Sequence, residues 1–241
     1  MPEPNNPLDN PNAEVIVLLH GLLATSSYWN RVAKRLHKTD HRVVAIDLLG
    51  FGTAKHTPAK NYTYKEHIAH IHQQLQANNL SEPFVLAGHS MGALLAARYR
   101  LEHAADVKSL FLFNPPLYLN SQQARSTLRD TNSAYRFLLD SRYRNIGWNV
   151  VKYLPSNLIG DHSGAARDLS IRHVIESAEF IRDLQKLKTK TVLVVGKNDR
   201  PIYQQNLQGI LLPNNVEIIL SDVSHHSPIL KPDLVARFLL S

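Results

Sequence analysis

Apolar residues along this chain fall into short unbroken runs that alternate with segments of helical spacing. Val15–Leu19, Arg42–Ile46, Phe84–Ala87, Val107–Phe113, Thr191–Val195 and Val216–Leu220 are rich in leucine and β-branched residues. Most lack polar alternation, as strands covered by helices on both faces should. Between them lie the predicted helices Tyr28–His37, Tyr64–Asn78, Met91–His103, Tyr203–Leu211 and Asp233–Leu240. In the second of these, Ile68, Ile71 and Leu75 recur at helical spacing and form one apolar stripe. Alternation of this kind predicts parallel βαβ units and an α/β, doubly wound, mostly parallel sheet.

The rhythm breaks between 115 and 190. The stretch opens on Pro115-Pro116 and reads as several helices, one of them around Asp168–Lys188. An insertion between sheet strands projects above their carboxyl ends, where open α/β sheets bind ligands. We therefore expect a single domain over 1–241, with a flexible tail at 1–12 and a helical lid at 115–190. Leu117, Tyr118, Phe137, Leu138, Trp148, Tyr153 and Leu158 are candidates either for an apolar substrate cavity or for the core of the lid itself.

Composition changes this picture little. The apolar and charged fractions are those of an ordinary globular protein. No apolar run reaches the roughly 18–20 residues that span a bilayer, so no stable membrane insertion is expected. The first twelve residues lack the pattern of a secretory signal, and a cytoplasmic location is the default expectation. Cysteine is absent, which excludes disulfides and a thiol nucleophile. The net charge of +7 is spread along the chain without a nucleic-acid module, so no nucleic-acid partner is expected. A local basic bias runs through Arg125, Arg129, Arg136, Arg142, Arg144 and Lys152, and reads first as a solvated surface.

The chemistry concentrates at strand ends. Gly88-His89-Ser90-Met91-Gly92 follows one apolar run and opens a helical one. A tight strand-to-helix turn would lift the Ser90 hydroxyl above the sheet and aim the free N–H groups of the next helix at a developing oxyanion. In isolation the same letters could mark a helix N-cap serine; the strand–turn–helix context favours the nucleophile. Leu19-His20-Gly21-Leu22 ends the first strand, and the Leu22 amide can pair with that of Met91 as an oxyanion hole. His20 is expected to pack and hydrogen-bond locally. Asp199 follows the strand at Thr191–Val195, and the adjacent His225 and His226 follow the strand at Val216–Leu220. A carboxylate and a neutral imidazole in this order suit a Ser–acid–His relay, with either histidine available as the base. His67, His70 and His72 are close enough in sequence to suggest a metal. Without a carboxylate in a known ligand pattern, they read instead as an exposed helix face, so neither a metal nor a cofactor is expected.

Taken together these residues resemble the α/β-hydrolase superfamily over nearly the whole chain. His20-Gly21 is similar to its oxyanion loop and Asp47-Leu48-Leu49-Gly50-Phe51-Gly52 to its D-x-x-G-x-G turn. Gly88–Gly92 is similar to its nucleophile elbow, and Gly196-Lys197-Asn198-Asp199 to its acid turn. His226-Ser227-Pro228 with Lys231-Pro232-Asp233 resembles its G-H-x-P-x-x-x-x-P-E ending, with one intervening residue fewer. That alignment selects His226 as the base and leaves His225 where the family has glycine. The resemblance implies an α/β-hydrolase fold whose N-terminal hairpin is missing, leaving about six strands. It implies a Ser90–Asp199–His226 triad with Leu22 and Met91 as oxyanion donors. The expected reaction is hydrolysis of a carboxylic ester of a small, largely apolar substrate through a Ser90 acyl-enzyme. Carbon–carbon bond hydrolysis of ring-fission diketones is the alternative, and ligand binding without turnover is a third reading.

Overall fold

The computed structural model describes residues 13–39, 41–80, 83–130 and 160–241. Six strands form one all-parallel sheet: β1 (Val15–Leu19), β2 (Arg42–Ile46), β3 (Phe84–His89), β4 (Val107–Phe113), β5 (Thr191–Gly196) and β6 (Val216–Ser221). Their order is β2-β1-β3-β4-β5-β6, so the chain winds outward from β1 in one direction and then back through β3 in the other. The expected doubly wound sheet of six strands is present.

Both faces of the sheet are covered, which is why its strands read as continuous apolar runs. Along β1, Ile16 and Leu18 pack with Trp29, Val32 and Leu36 around α1 (Asn30–Leu36), and with Val235 and Leu239 near the C-terminus. Val17 and Leu19 face the other way, toward Ile68 and Ile71 of α2 (Tyr64–Ala77) and Leu95 of α3 (Met91–Glu102). Helix α2 starts where its sequence says it should. The Thr63 hydroxyl accepts from the Glu66 amide and the Glu66 carboxylate accepts from the Thr63 amide, a capping box that satisfies two otherwise unpaired donors. Helix α3 carries apolar residues on every side because it lies buried between the sheet and its neighbours.

The segment at 115–190 is described in two parts. Helix α4 spans Ser121–Asp130; after residue 159 come α5 (Gly164–Ser170), a π-helical turn (Ile171–Ile175) and α6 (Phe180–Lys186). The single helix expected around Asp168–Lys188 is therefore broken, with Ala178 in the left-handed region at φ 53° between the pieces. Leu117 and Tyr118 are buried in the main core, and the Tyr118 hydroxyl meets that of Tyr203, so these two side chains belong to the packing of the fold. The other cavity candidates, Phe137, Leu138, Trp148, Tyr153 and Leu158, lie outside the described residues, as does most of the basic stretch. No helix among the described residues is long and apolar enough to cross a membrane.

The reading of α2 as an exposed histidine face is overturned: His67 and His70 are buried. His67 Nε2 meets the Ser170 hydroxyl at 2.9 Å, and His70 Nε2 donates to the Asp47 carbonyl at 3.0 Å. Both partners lie on elements distant in sequence, so helical periodicity alone could not reveal the burial. His20 is also buried. Its Nε2 accepts from the Leu48 amide at 3.0 Å, which puts the proton on Nδ1, where it donates to the Gly21 carbonyl at 2.8 Å. Burial penalises the charged imidazolium and pushes His20 down to about 4 and His67 to about 3.

These depressed groups make a pH prediction. Below the ordinary value near 6.5 the unfolded chain takes up protons at these positions that the folded chain refuses, so stability is full above pH 6.5 and declines as pH falls toward 4. Each of the two histidines is expected to cost about 1.3 kcal/mol between pH 7.5 and pH 5.5. Urea unfolding at the two pH values checks this. His67→Gln should shrink the difference by about 1.3 kcal/mol, and an equal pH dependence in the variant would contradict the assignment.

Candidate active site

The parallel strands deliver three loops to one edge of the sheet. Ser90 lies between β3 and α3 at φ 53° and ψ −120°, a conformation that costs a non-glycine residue on the order of 1–3 kcal/mol. The turn is held by close backbone packing. A Cβ on Gly88 would lie 2.3 Å from the Gly92 carbonyl oxygen, and one on Gly92 would lie 2.4 Å from that of Leu19. The Ser90 amide donates to Phe113 at the end of β4. The next loop is equally near, since a Cβ on Gly21 would stand 3.0 Å from that of Ser90. Among the described residues, the Leu22 amide, in the turn after β1, and the Met91 amide, at the first residue of α3, make no backbone hydrogen bond in a turn, loop or cap. Those two N–H groups belong to the segments next to Ser90.

Asp199 follows β5 as expected. Its Oδ1 accepts from the Arg200 amide at 2.7 Å, and its side chain is 5 % exposed. The Arg200 guanidinium in turn donates to the Thr127 carbonyl of α4, which steadies this turn from above.

The imidazole that joins Asp199 to Ser90 is that of His225, not His226. His225 Nδ1 lies 2.7 Å from Asp199 Oδ2, and its Nε2 lies 3.2 Å from Ser90 Oγ. The carboxylate can only accept, so Nδ1 carries the proton and Nε2 presents its lone pair to the serine hydroxyl. His226 points elsewhere. Its Nδ1 lies 3.2 Å from the Tyr28 hydroxyl, and it stands immediately before a short helix, α7 (Ser227–Leu230). Burial lowers its pKa, and the neighbouring His225 adds to the effect.

Two side-chain donors explain the choice. Asn114, just past β4, donates from Nδ2 to the Ser224 carbonyl at 2.7 Å. His89, beside the serine, donates from Nε2 to the His225 carbonyl at 2.7 Å. Clamping successive carbonyls fixes the rotation of the loop, so that residue 225 faces the acid and residue 226 turns toward Tyr28. The chain did hold a signal for this. Counting back from Pro232-Asp233 in the H-x-P-x-x-x-x-P-E pattern gives residue 225, whereas counting back from Pro228 gives 226. Nothing in the sequence marked Asn114, Tyr28 or His89 as supports.

Asp47 and its turn stand behind the loop that follows β1. Burial works against its charge, but amide donors from Ser26 and Thr53 and the Thr53 hydroxyl outweigh that and hold the carboxyl below its usual range.

Fold and site define an α/β enzyme architecture whose ligand edge carries a Ser–His–Asp hydrogen-bonded chain. Residues 14–146, more than half the chain, match the model of the alpha/beta hydrolase fold, and the protein belongs to that family. It is 25% identical over 231 residues to Lipase 1 of Psychrobacter immobilis, covering 90% of this chain and 72% of that protein. It is 34% identical over 116 residues to the probable lysophospholipase BODYGUARD 1 of Arabidopsis thaliana, covering 46% of this chain but only 25% of that longer protein. Among solved structures, the esterase EaEST of Exiguobacterium antarcticum superposes with a TM-score of 0.71 at 18% identity, covering 95% of this chain and 91% of that one, and so shares the fold.

The clamp makes a stability prediction. Asn114→Ala removes the donor to Ser224 and leaves alanine in the left-handed region at φ 48°. A loss of about 1–3 kcal/mol in chemical unfolding is expected; a change under about 0.3 kcal/mol would show that the clamp is slack.

Proposed function

We propose that this protein is a serine hydrolase that cleaves a carboxylic ester of a small, largely apolar substrate through a Ser90 acyl-enzyme. The observation that carries the reading is the continuous chain from Asp199 through His225 to Ser90, at 2.7 and 3.2 Å. His225 Nε2 takes the Ser90 proton as Oγ attacks the ester carbonyl. Asp199 stabilises the resulting imidazolium, and the Leu22 and Met91 amides receive the negative oxygen. Collapse of the tetrahedral intermediate expels the alcohol, which takes the proton from His225. A water molecule, deprotonated by the same imidazole, then releases the acid and restores Ser90.

Lipase, lysophospholipase and esterase names among the relatives support ester chemistry, and the preformed hydrogen-bonded chain argues against ligand binding without turnover. The second histidine, His226, has a supporting place beside Tyr28.

Activity on short-chain aryl esters tests the reading. Ser90→Ala and His225→Gln should each lower kcat/KM by a factor of about 10³ or more, while His226→Gln should stay within about tenfold of the parent. A fluorophosphonate probe should label the parent and not Ser90→Ala. Undiminished turnover in Ser90→Ala rejects the mechanism, and faster turnover of vinylogous diketones than of esters would move the assignment to carbon–carbon bond hydrolysis.

A further inference from the structure

Away from the nucleophile, at the other end of α3, three side chains gather from separate segments. His72 comes from α2, His103 from the C-cap of α3, and Asp106 from the turn that leads into β4. His72 Nδ1 and His103 Nδ1 each lie 3.9 Å from Asp106 Oδ2, and one ligand atom from each of the three residues lies within 4.8 Å of the others. All three are partly exposed, so the cluster is open to solvent. We propose that His72, His103 and Asp106 form a binding site for a divalent first-row transition-metal ion, zinc by preference.

The geometry suits such an ion. A point equidistant from three atoms separated by 3.9, 3.9 and at most 4.8 Å lies no more than about 2.5 Å from each, against roughly 2.0–2.2 Å for zinc bound to imidazole and carboxylate. Ligation also needs one of the two rings, stacked at 18° with centroids 4.3 Å apart, to turn about its side-chain bonds so that both in-plane lone pairs meet at the ion, and both rings are partly exposed. Two imidazoles and one carboxylate leave a fourth, tetrahedral position for water.

The surroundings order the metal-free cluster. The His103 ring stacks on His72 and on Tyr99, with centroids 4.3 and 4.5 Å apart. The Tyr99 hydroxyl donates to Asp106 Oδ2 at 2.9 Å and lies 3.0 Å from His72 Nδ1, while Gln76 Nε2 lies 3.0 Å from His72 Nε2. In the metal-free state this forms a relay of donors from Gln76 through His72 and Tyr99 to Asp106. Binding at Nδ1 requires the His72 proton to move to Nε2, where rotation of the Gln76 amide supplies an acceptor. Such outer partners fix the tautomer of a ligating imidazole. The sequence left this site unseen because it grouped His72 with His67 and His70, which face inward, instead of with a histidine and an aspartate some thirty residues later.

Helix α3 separates this cluster from Ser90 by twelve residues, about 18 Å along the axis, so the ion takes no part in the proposed ester chemistry. It would tie α2, α3 and the β4 turn together. The test is titration of the chelator-treated protein with zinc, followed by calorimetry. One equivalent should bind with Kd tighter than about 100 µM, and a hundredfold excess over Kd should raise Tm by about 5–10 °C. His72→Gln and Asp106→Asn should each weaken binding at least tenfold, whereas the exposed His37→Gln should not. Cobalt substitution should give the intense visible absorption of a four-coordinate site in the parent and lose it in both site variants while these keep the parent's aryl-ester turnover, which separates ligation from a folding defect. Aryl-ester turnover should be the same with and without zinc. Binding weaker than 100 µM, or binding that survives either site variant, overturns the proposal.

Discussion

The strained turn at Ser90 is the constraint on which the rest of the site depends. No side chain of ordinary preference favours φ 53° and ψ −120°, and the conformation persists because backbone from β1, β3 and α3 closes around it. Gly88 and Gly92 are the contacts that allow it, each with a carbonyl oxygen where a Cβ would stand. Burial of β3 and of most of α3 in the apolar core offsets the strain. A hydroxyl is thereby held at the sheet edge without any loop having to order itself first. Such preorganisation is what gives fixed donors and acceptors their catalytic value.

Around that hydroxyl the chain places histidines in two different electrostatic settings. His20 and His89 are fully buried, and burial keeps them neutral, so each acts as a fixed one-proton donor that braces a loop. His225 is one-third exposed and carries the hydrogen bonds to Asp199 and Ser90. A neutral His89 adds no positive charge beside the imidazole that the proposed mechanism protonates. Tyr28 reinforces the arrangement by stacking on His89 at 4.8 Å while its hydroxyl faces His226. The tandem histidines therefore divide the work: one faces the acid, and the other fills the wall beside it.

The family match ends at residue 146, ahead of both Asp199 and His225. The second half of the site thus rests on geometry, and geometry corrected it. A one-residue shift changes which side of the loop a side chain occupies, and spacing to Pro228 pointed to the wrong member of the pair. The carbonyl clamps from Asn114 and His89 turn His225 toward the acid, and both clamps come from strand ends over a hundred residues upstream.

Local order was legible in the chain because its causes are local. Continuous apolar runs bounded by polar turns marked all six strands to within two residues, and the glycine-flanked serine between a strand and a helix marked the nucleophile turn. What depended on contacts between distant segments was not legible. The burial of His67 and His70 needs Ser170 and the Asp47 carbonyl, and the break near Ala178 depends on how α5 and α6 meet the core. The facing of His225 needs two donors from other strands, and the His72–His103–Asp106 cluster needs α2 laid beside α3. Periodicity reports which residues share a face of one element; only the packed sheet decides which faces meet.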